Sequence, residues 1–314
     1  MIEARSLTKR YGAKTAVADL TFSVRPGVVT GFLGPNGSGK STTMRMILGL
    51  DAPSSGCVTV NGKRYAAHAA PLREVGAMLE ARAVHPGRSA FHHLLALAAT
   101  TGIPRSRVEE VIDVAGLRKV ARKRVGGFSL GMGQRLGIAT ALLGDPATVI
   151  LDEPVNGLDP EGILWIRTLL KSLAAEGRTV LVSSHLMSEM ALTAEHLIVI
   201  GRGRLIADAP VAEFTRSAAR DVVFVRSAEA ARLAALLAGP GVAVAPGERG
   251  GIDVTGLASE RIGRIAAEHG IAVAELTPRQ ASLEEAFMEL TRDAVEYQPT
   301  GRYAAGAAQE GRAA

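Results

Sequence analysis

The amino-acid sequence predicts an α/β fold in which a sheet carries a phosphate-binding loop. Residues 34–42 match the pattern GxxxxGK[ST], and they lie between a short β-branched apolar run and a segment with helical spacing. The apolar runs at residues 148–151 and 179–184 are typical of strands buried on both faces of a sheet. A strand, a glycine-rich loop and a helix in this order place the positive end of a helix dipole at the loop.

Nine consecutive residues form the predicted phosphate loop. Its glycines let backbone N–H groups curl around phosphate oxygens that larger side chains would block. From charge and reach we expect Lys40 to contact the β- and γ-phosphates of a nucleotide and the Ser41 hydroxyl to ligate Mg²⁺. The alternative, a chance glycine loop, is disfavoured by the strand and the helix that flank the pattern. The loop consists of Gly34, Pro35, Asn36, Gly37, Ser38, Gly39, Lys40, Ser41 and Thr42.

The composition limits the class of protein. A length of 314 residues suggests about two domains, and 47% hydrophobic residues suffice for a sizeable core. The single cysteine, Cys57, fits a reducing cytosol. We find no signal peptide pattern and no apolar run near the roughly 18 residues that cross a bilayer, so any spanning helices would belong to another chain. The net charge of +5 comes without a basic run or interleaved aromatics, so we expect no nucleic-acid partner.

Short β-rich pieces between residues 2 and 24 predict antiparallel strands ahead of the phosphate loop. Tyr11 lies in a turn between two of them, where its ring either stacks on an adenine or plugs the hairpin. A further strand, at residues 75–79, ends at Glu80. A carboxylate at that end of a strand either faces a ligand or is an ordinary loop residue, and the local sequence leaves both alternatives open.

Between about residues 89 and 143 the apolar pattern changes to the helical period, which predicts an all-helical insert. Within this insert, Ser129 and Gly131 stand at the mouth of an apolar helix. Small residues and a hydroxyl at the N-terminus of a helix are one arrangement that binds an anion. The serine is also consistent with a plain helix N-cap, and the local sequence slightly favours the cap.

Two adjacent carboxylates, Asp152 and Glu153, follow the buried run at residues 148–151, at the strand end where α/β sheets bind ligands. Adjacent carboxylates repel each other unless a cation or a proton offsets them, which disfavours a purely structural pair. We expect Asp152 to hold Mg²⁺ and Glu153 to accept a proton from the attacking water. Asp159, just before a proline, is typical of a helix N-cap. His185 follows the next strand, where a histidine taken alone is more often packed than functional.

The composition changes after about residue 212. Strand patterns at residues 222–225 and 272–276, with helical patterns between them, predict a small α+β appendage over residues 213–297. Ser282 and Glu285 form a capping box at the start of its last helix. The tail, residues 298–314, is rich in Ala, Gly, Arg and Gln, a composition that predicts disorder.

Taken in order, these motifs make residues 1–212 resemble the nucleotide-binding subunit of ATP-binding cassette (ABC) transporters. That resemblance implies a mixed-sheet core, an antiparallel β subdomain and a helical subdomain. It also implies that Tyr11 stacks on the adenine of ATP and that Asp159 belongs to a loop that contacts the second subunit. By the same resemblance, His185 lies near the γ-phosphate, and Glu80 joins Ser41 and Asp152 around Mg²⁺.

Two positions depart from the usual family pattern. The chain reads Phe-Ser-Leu-Gly-Met at residues 128–132 where the family usually reads Leu-Ser-Gly-Gly-Gln, and it has Glu80 where most members have glutamine. Both variants are similar to those of antibiotic-resistance exporters of the bacitracin and daunorubicin type, and a C-terminal appendage is common there too. A carboxylate adds a charge that an amide lacks, so Glu80 bears on how the magnesium shell and the coupling to a permease are arranged.

The resemblance further implies a homodimer in which two chains pair head to tail. Each ATP would lie between Lys40 and Ser41 of one chain and Ser129 and Gly131 of the other. Hydrolysis, with Glu153 as base, would open the dimer and drive a separate transmembrane permease that exports a drug, an antibiotic or a lipid-like compound. The chain would reach the cytoplasmic face of the cell membrane indirectly, through that permease.

Two other classes compete with this interpretation. A soluble ABC ATPase that acts on ribosomes or DNA usually carries two cassettes or a long coiled-coil insert, and this sequence shows neither. A GTPase or small-molecule kinase would leave residues 128–132 unexplained, and the guanine-reading pattern Asn-Lys-x-Asp is missing.

Overall fold

The computed structural model describes residues 1–80, 84–218, 222–279 and 282–291. Within these residues the chain divides into two compact units, one containing Met1–Ala209 and the other Pro210–Leu290. The tail predicted to be disordered, residues 298–314, lies outside the described residues. Among the helices of the described ranges, none combines the length and the apolar character that crossing a bilayer requires.

The first unit alternates strands with helices along most of its length. Its strands are β1 (Ile2–Tyr11), β2 (Lys14–Val24), β3 (Val29–Leu33), β4 (Ser55–Val60), β5 (Val75–Met78), β6 (Thr148–Leu151), β7 (Thr179–Ser183), β8 (His196–Gly201) and β9 (Arg204–Pro210). Its helices are α1 (Lys40–Ile47), α2 (Pro71–Glu74), α3 (Ala90–Thr100), α4 (Arg105–Val114), α5 (Leu130–Leu142), α6 (Pro160–Ala175) and α7 (Met187–Thr193).

A six-stranded sheet with the strand order β5-β6-β7-β3-β8-β9 forms the centre of this unit. The pairs β5–β6, β6–β7, β7–β3 and β3–β8 are parallel. Every residue of β3, β6 and β7 is buried. For β6 and β7 this confirms the sequence prediction of strands covered on both faces. Parallel pairing places the carboxyl ends of β3, β6 and β7 at one edge of the sheet, where α/β folds bind ligands.

A second sheet, with the order β2-β1-β4, is antiparallel, as the sequence predicted. Tyr11 and Lys14 face each other at the end of the β1–β2 hairpin, so the predicted turn at Tyr11 is confirmed. The two sheets and α1 share one hydrophobic core, to which Ile2, Leu20, Phe32, Met44 and Ile150 contribute. This shared core holds the hairpin beside the helix that begins at Lys40.

Three helices, α3, α4 and α5, make up the predicted helical insert. On α3 the apolar residues Phe91, Leu94 and Ala98 are buried. On α4 and at its C-cap, the buried apolar residues are Val108, Val111, Ile112 and Ala115. The helical period in the sequence therefore identified the faces that pack together.

The second unit contains the helices α8 (Val211–Ala218), α9 (Ala230–Leu237), α10 (Ser259–Glu268) and α11 (Leu283–Thr291) and the strands β10 (Val222–Arg226), β11 (Ala243–Pro246), β12 (Ile252–Thr255) and β13 (Glu275–Arg279). Its sheet is antiparallel with the order β11-β12-β10-β13. The predicted capping box of α11 is confirmed, because the Ser282 N–H donates to Glu285 Oε2 at 2.8 Å and the Glu285 N–H donates to Ser282 Oγ at 3.1 Å.

Two details of the second unit differ from the sequence prediction. The strand expected at residues 272–276 lies at Glu275–Arg279, since its register against β10 begins with Arg226 opposite Glu275. The strands β11 and β12 were not predicted. Each is only four residues long, and β11 ends in a proline, a residue that is uncommon in strand interiors.

Close packing at Gly76, in β5, gives a stability prediction. A Cβ atom at Gly76 would lie 1.8 Å from the Ala141 carbonyl oxygen and 2.8 Å from Cγ of Pro146. Because backbone would have to move, we expect Gly76→Ala to lower the free energy of unfolding by about 1–3 kcal/mol. The matched control is Gly133→Ala, where a Cβ meets no atom within 4 Å and the exchange within a helix favours folding by roughly 0.5–1 kcal/mol. Urea unfolding followed by circular dichroism measures both, and equal midpoints for the two variants would contradict the packing argument.

Candidate active site

The loop between β3 and α1 has the geometry of a phosphate cradle. Gly37 and Gly39 have φ values of 80° and 102°, in the left-handed region that favours glycine. At Gly34 a Cβ atom would lie 2.4 Å from the Ile200 carbonyl oxygen, so this position has no room for a side chain. The Ser38 hydroxyl is buried and has no hydrogen-bond partner in the described part of the chain. A bound anion at the loop would supply the acceptor that this hydroxyl lacks.

The ammonium group of Lys40 is folded over the loop. Its Nζ atom donates to the carbonyl oxygen of Gly34 and, at 3.3 Å, to that of Pro35. Burial lowers the pKa of Lys40, whereas the charges of Glu153 and Asp152 raise it. The ammonium group thus lies at the loop, close enough to Glu153 and Asp152 for their charges to affect its pKa.

Ser41 and Asp152 bring oxygen ligands together. The Ser41 hydroxyl donates to Asp152 Oδ2 at 3.1 Å, and the Ser183 hydroxyl donates to the other carboxylate oxygen. Hydroxyl and carboxylate oxygens are the ligands that Mg²⁺ prefers, with phosphate oxygens and water completing its shell. No cluster of three or more His, Cys, Asp or Glu side chains suited to a metal occurs in the described ranges. The pair therefore fits a magnesium ion that arrives with a nucleotide, rather than a cage made by protein alone.

Glu153 points away from Asp152 and toward His185. Its Oε2 atom accepts a hydrogen bond from the His185 backbone N–H at 3.2 Å and lies 2.7 Å from His185 Nδ1. Neither Glu153 Oε1 nor His185 Nε2 has a hydrogen-bond partner among the residues the structure describes. The two adjacent carboxylates consequently serve different neighbours, and their mutual repulsion is reduced because each has its own donors.

Tyr11 lies close to the start of α1. Its hydroxyl donates to Asp51 Oδ2 at 2.8 Å, and this hydrogen bond raises the pKa of the phenol. Hydrogen bonds from Arg45 and Tyr11 lower the pKa of Asp51. The Lys9 ammonium lies 4.9 Å from the centroid of the Tyr11 ring, and the residue is 49% exposed. The ring is therefore anchored at its hydroxyl and accessible to a base, which favours stacking over a plug in the hairpin.

Glu80 makes no hydrogen bond to Ser41 or Asp152 in the described part of the chain. The residue is exposed, and within the described residues it makes no hydrogen bond or ion pair. Its charge contributes only weakly to the raised pKa of Arg45, for which Asp51 is the largest cause. The structure thus brings the side chains of Ser41 and Asp152 into hydrogen-bond contact, whereas Glu80 makes no such contact with either of them. Its role in the metal shell stays a prediction.

The segment at residues 128–132 packs on the turn that contains Asp159. Ser129 is the N-cap of α5, and its hydroxyl accepts from the Met132 N–H at 3.2 Å. A Cβ atom at Gly131 would lie 2.9 Å from the Gly157 carbonyl oxygen, so the helix and the turn are in close contact. Asp159 caps α6 by accepting from the Gly162 N–H at 2.9 Å, which confirms that predicted cap. No hydrogen bond of Ser129 or Asp159 in the described chain reaches the phosphate loop.

Comparisons with known proteins identify the class. A family model described as "ABC transporter" matches residues 17–156. The chain is 42% identical over 213 residues to the bacitracin transport ATP-binding protein BcrA of Bacillus licheniformis, and the alignment covers 67% of this chain and 70% of that protein. The chain belongs to the ABC transporter family. The predicted family and its type of enzyme, an ATPase of the cassette class, are thereby confirmed.

Other comparisons agree with this membership. The cassette is 35% identical over 206 residues to the lantibiotic transport ATP-binding protein SrtF of Streptococcus pyogenes, covering 66% of this chain and 89% of that protein. A solved structure described as the ATP binding subunit of an ABC transporter matches with a TM-score of 0.64 at 27% identity, covering 69% of this chain and 92% of the other. A second family model, for a domain of unknown function, matches residues 221–284, within the second unit.

Two residues near the acid pair were not singled out by sequence reasoning. These residues are Ser183, near the end of the apolar run at residues 179–184, and Gln134, which follows the segment at residues 128–132. In the structure both contact Glu153, through its N–H and its carbonyl oxygen respectively. A hydroxyl at the carboxyl end of a strand was a weak signal for Ser183. No signal in the sequence pointed to Gln134, because its hydrogen bond to Glu153 joins residues 19 apart in different elements.

The accessible ring of Tyr11 can be tested by nucleotide binding. We expect Tyr11→Ala to weaken ATP binding by about 1–3 kcal/mol, the usual contribution of one base stacked on an aromatic ring. Tyr11→Phe is the matched control, because it keeps the ring and removes only the hydrogen bond to Asp51. Titration with a fluorescent ATP analogue gives both dissociation constants. Equal weakening by the two substitutions would assign the effect to the hydroxyl and contradict stacking.

Proposed function

We propose that this chain is the ATP-hydrolysing subunit of an exporter that uses Mg·ATP and works as a homodimer with a separate transmembrane permease. The observation that carries the proposal is one continuous set of contacts at the edge of the parallel sheet. It runs from Ser41 on α1 to Asp152 after β6, then through Ser183 on β7 to Glu153 and on to His185. These hydrogen bonds connect the phosphate loop to Glu153, the proposed general base, and to His185, which contacts it.

The side chains divide the steps of hydrolysis among themselves. Lys40 and the loop N–H groups bind the β- and γ-phosphates, while the Ser41 hydroxyl and Asp152 hold Mg²⁺. When bound, the metal ion neutralises charge that develops on the phosphate oxygens. Glu153 Oε1 accepts the proton of the attacking water, since Oε2 is engaged by His185. His185, with Nδ1 toward Glu153, presents Nε2 toward the γ-phosphate.

The contacts of Ser129 and Gly131 support the proposed dimer. Ser129 and Gly131 make their described contacts with their own helix and with the turn at Gly157, not with the phosphate loop of the same chain. In a head-to-tail dimer they would instead complete the site of the partner subunit, with Asp159 at the contact between the two chains. ATP then holds the dimer closed, and its hydrolysis releases it.

The transported compound is proposed from the relatives. One of the relatives is named for bacitracin transport and the other for lantibiotic transport. We therefore propose export of a drug, an antibiotic or a lipid-like compound, driven at the cytoplasmic face of the membrane through contact with the permease. A soluble cassette acting on ribosomes or DNA finds no support in these names.

The general base is tested by Glu153→Gln. We expect hydrolysis to fall by roughly 10²- to 10⁴-fold, the usual contribution of a general base, while ATP still binds. With ATP, this variant should elute from gel filtration as a dimer, and without nucleotide as a monomer. Glu176→Gln, which alters a carboxylate paired with Arg178, is the matched control and should hydrolyse ATP like the wild type. Near-normal turnover in Glu153→Gln would remove Glu153 from this role.

The shared site is tested by mixing two inactive chains. Lys40→Ala and Ser129→Arg each disable both sites of a homodimer. A mixed head-to-tail dimer retains one intact site, formed by Lys40 of the Ser129→Arg chain and Ser129 of the Lys40→Ala chain. We therefore expect the mixture to regain ATPase activity that neither variant shows alone. Continued inactivity of a mixture shown by cross-linking to contain mixed dimers would contradict the shared site.

A further inference from the structure

The backbone of Glu153 has an unusual conformation. Its φ of 52° lies in the left-handed region, which residues with a side chain rarely adopt. Such a conformation persists only where surrounding contacts hold it in place, and it is most frequent at functional sites. The contacts that hold Glu153 therefore bear on where its carboxylate points.

Two buried side chains clamp the peptide groups on either side of Glu153. Its N–H donates to Ser183 Oγ at 3.0 Å, and its carbonyl oxygen accepts from Gln134 Nε2 at 2.8 Å. Ser183 is fully buried and Gln134 is 4% exposed. The same carbonyl oxygen also accepts from the Asn156 N–H at 3.2 Å. That second bond lies within the local turn and moves with it, whereas Gln134 ties the turn to a separate helix, α5.

We propose that Gln134 is a positioning residue for ATP hydrolysis, which holds Glu153 in its left-handed conformation and so aims the carboxylate. The inference rests on the proposed function, in which Glu153 accepts the proton. Gln134 acts through the backbone of Glu153, with no contact to the nucleotide required. Since Ser129 begins the same helix, α5 connects the segment proposed to meet the partner's ATP with the base of its own site.

The test is Gln134→Met, which keeps the length of the side chain and removes the amide donor. A small displacement of the base is expected to lower kcat by about 10- to 100-fold while KM and ATP affinity stay unchanged. In a Glu153→Gln background the same substitution should cause no further loss, because its effect passes through the base. Thr140→Val is the matched control. It removes a hydroxyl of α5 that donates to Leu136 O and should leave kcat unchanged.

A second variant separates positioning from folding. Gln134→Asn keeps the amide but is one methylene shorter, so we expect it to lower kcat in the same way even if the Met variant unfolds. Wild-type kcat in either folded variant would overturn the inference, as would a further loss of kcat in the Glu153→Gln background.

Unfolding of both Gln134 variants would assign this residue to core packing and would also overturn the inference. If Glu153→Gln itself keeps normal turnover, the proposed function fails instead, whatever the Gln134 variants do.

Discussion

The phosphate loop, the acid pair and His185 meet because three buried strands, β6, β7 and β3, run parallel and end at the same edge of the sheet. In a parallel sheet the carboxyl ends of neighbouring strands are side by side, although the segments that follow them are far apart in sequence. Every residue of these strands is buried, so apolar side chains on both faces of the sheet hold them in place. The positions of the reactive side chains therefore depend on the apolar interior of the sheet.

Ser183 links the two acidic residues through hydrogen bonds. Its hydroxyl is buried at the end of β7, where a polar group must find partners, and it contacts Asp152 with its hydrogen and the Glu153 N–H with its oxygen. The two carboxylates are thus oriented in different directions, one toward Ser41 and the other toward His185. The two adjacent carboxylates therefore contact different residues and can serve different functions.

The sequence predicted much of this arrangement because its signals are local. The phosphate loop, the buried strands, the helical insert and the caps at Asp159 and Ser282 each depend on residues within one or two turns of chain. Prediction failed where pairing decided the outcome, as at the strand beginning at Glu275, whose limits follow its partner β10. It also left Tyr11 undecided, because the accessibility of its ring depends on Lys9, Arg45 and Asp51 arranged around it.

The sequence by itself determined the family, the α/β class and the residue types that phosphate binding and proton transfer require. These features depend on short motifs and on the period of the apolar residues. Only the tertiary structure decided which side chains share a site. It placed Ser183 and Gln134 against Glu153, and it left Glu80 exposed, with no hydrogen bond to Ser41 or Asp152 among the described residues. The physical reason is that hydrogen bonds between distant segments depend on strand order and helix packing, which no local pattern encodes.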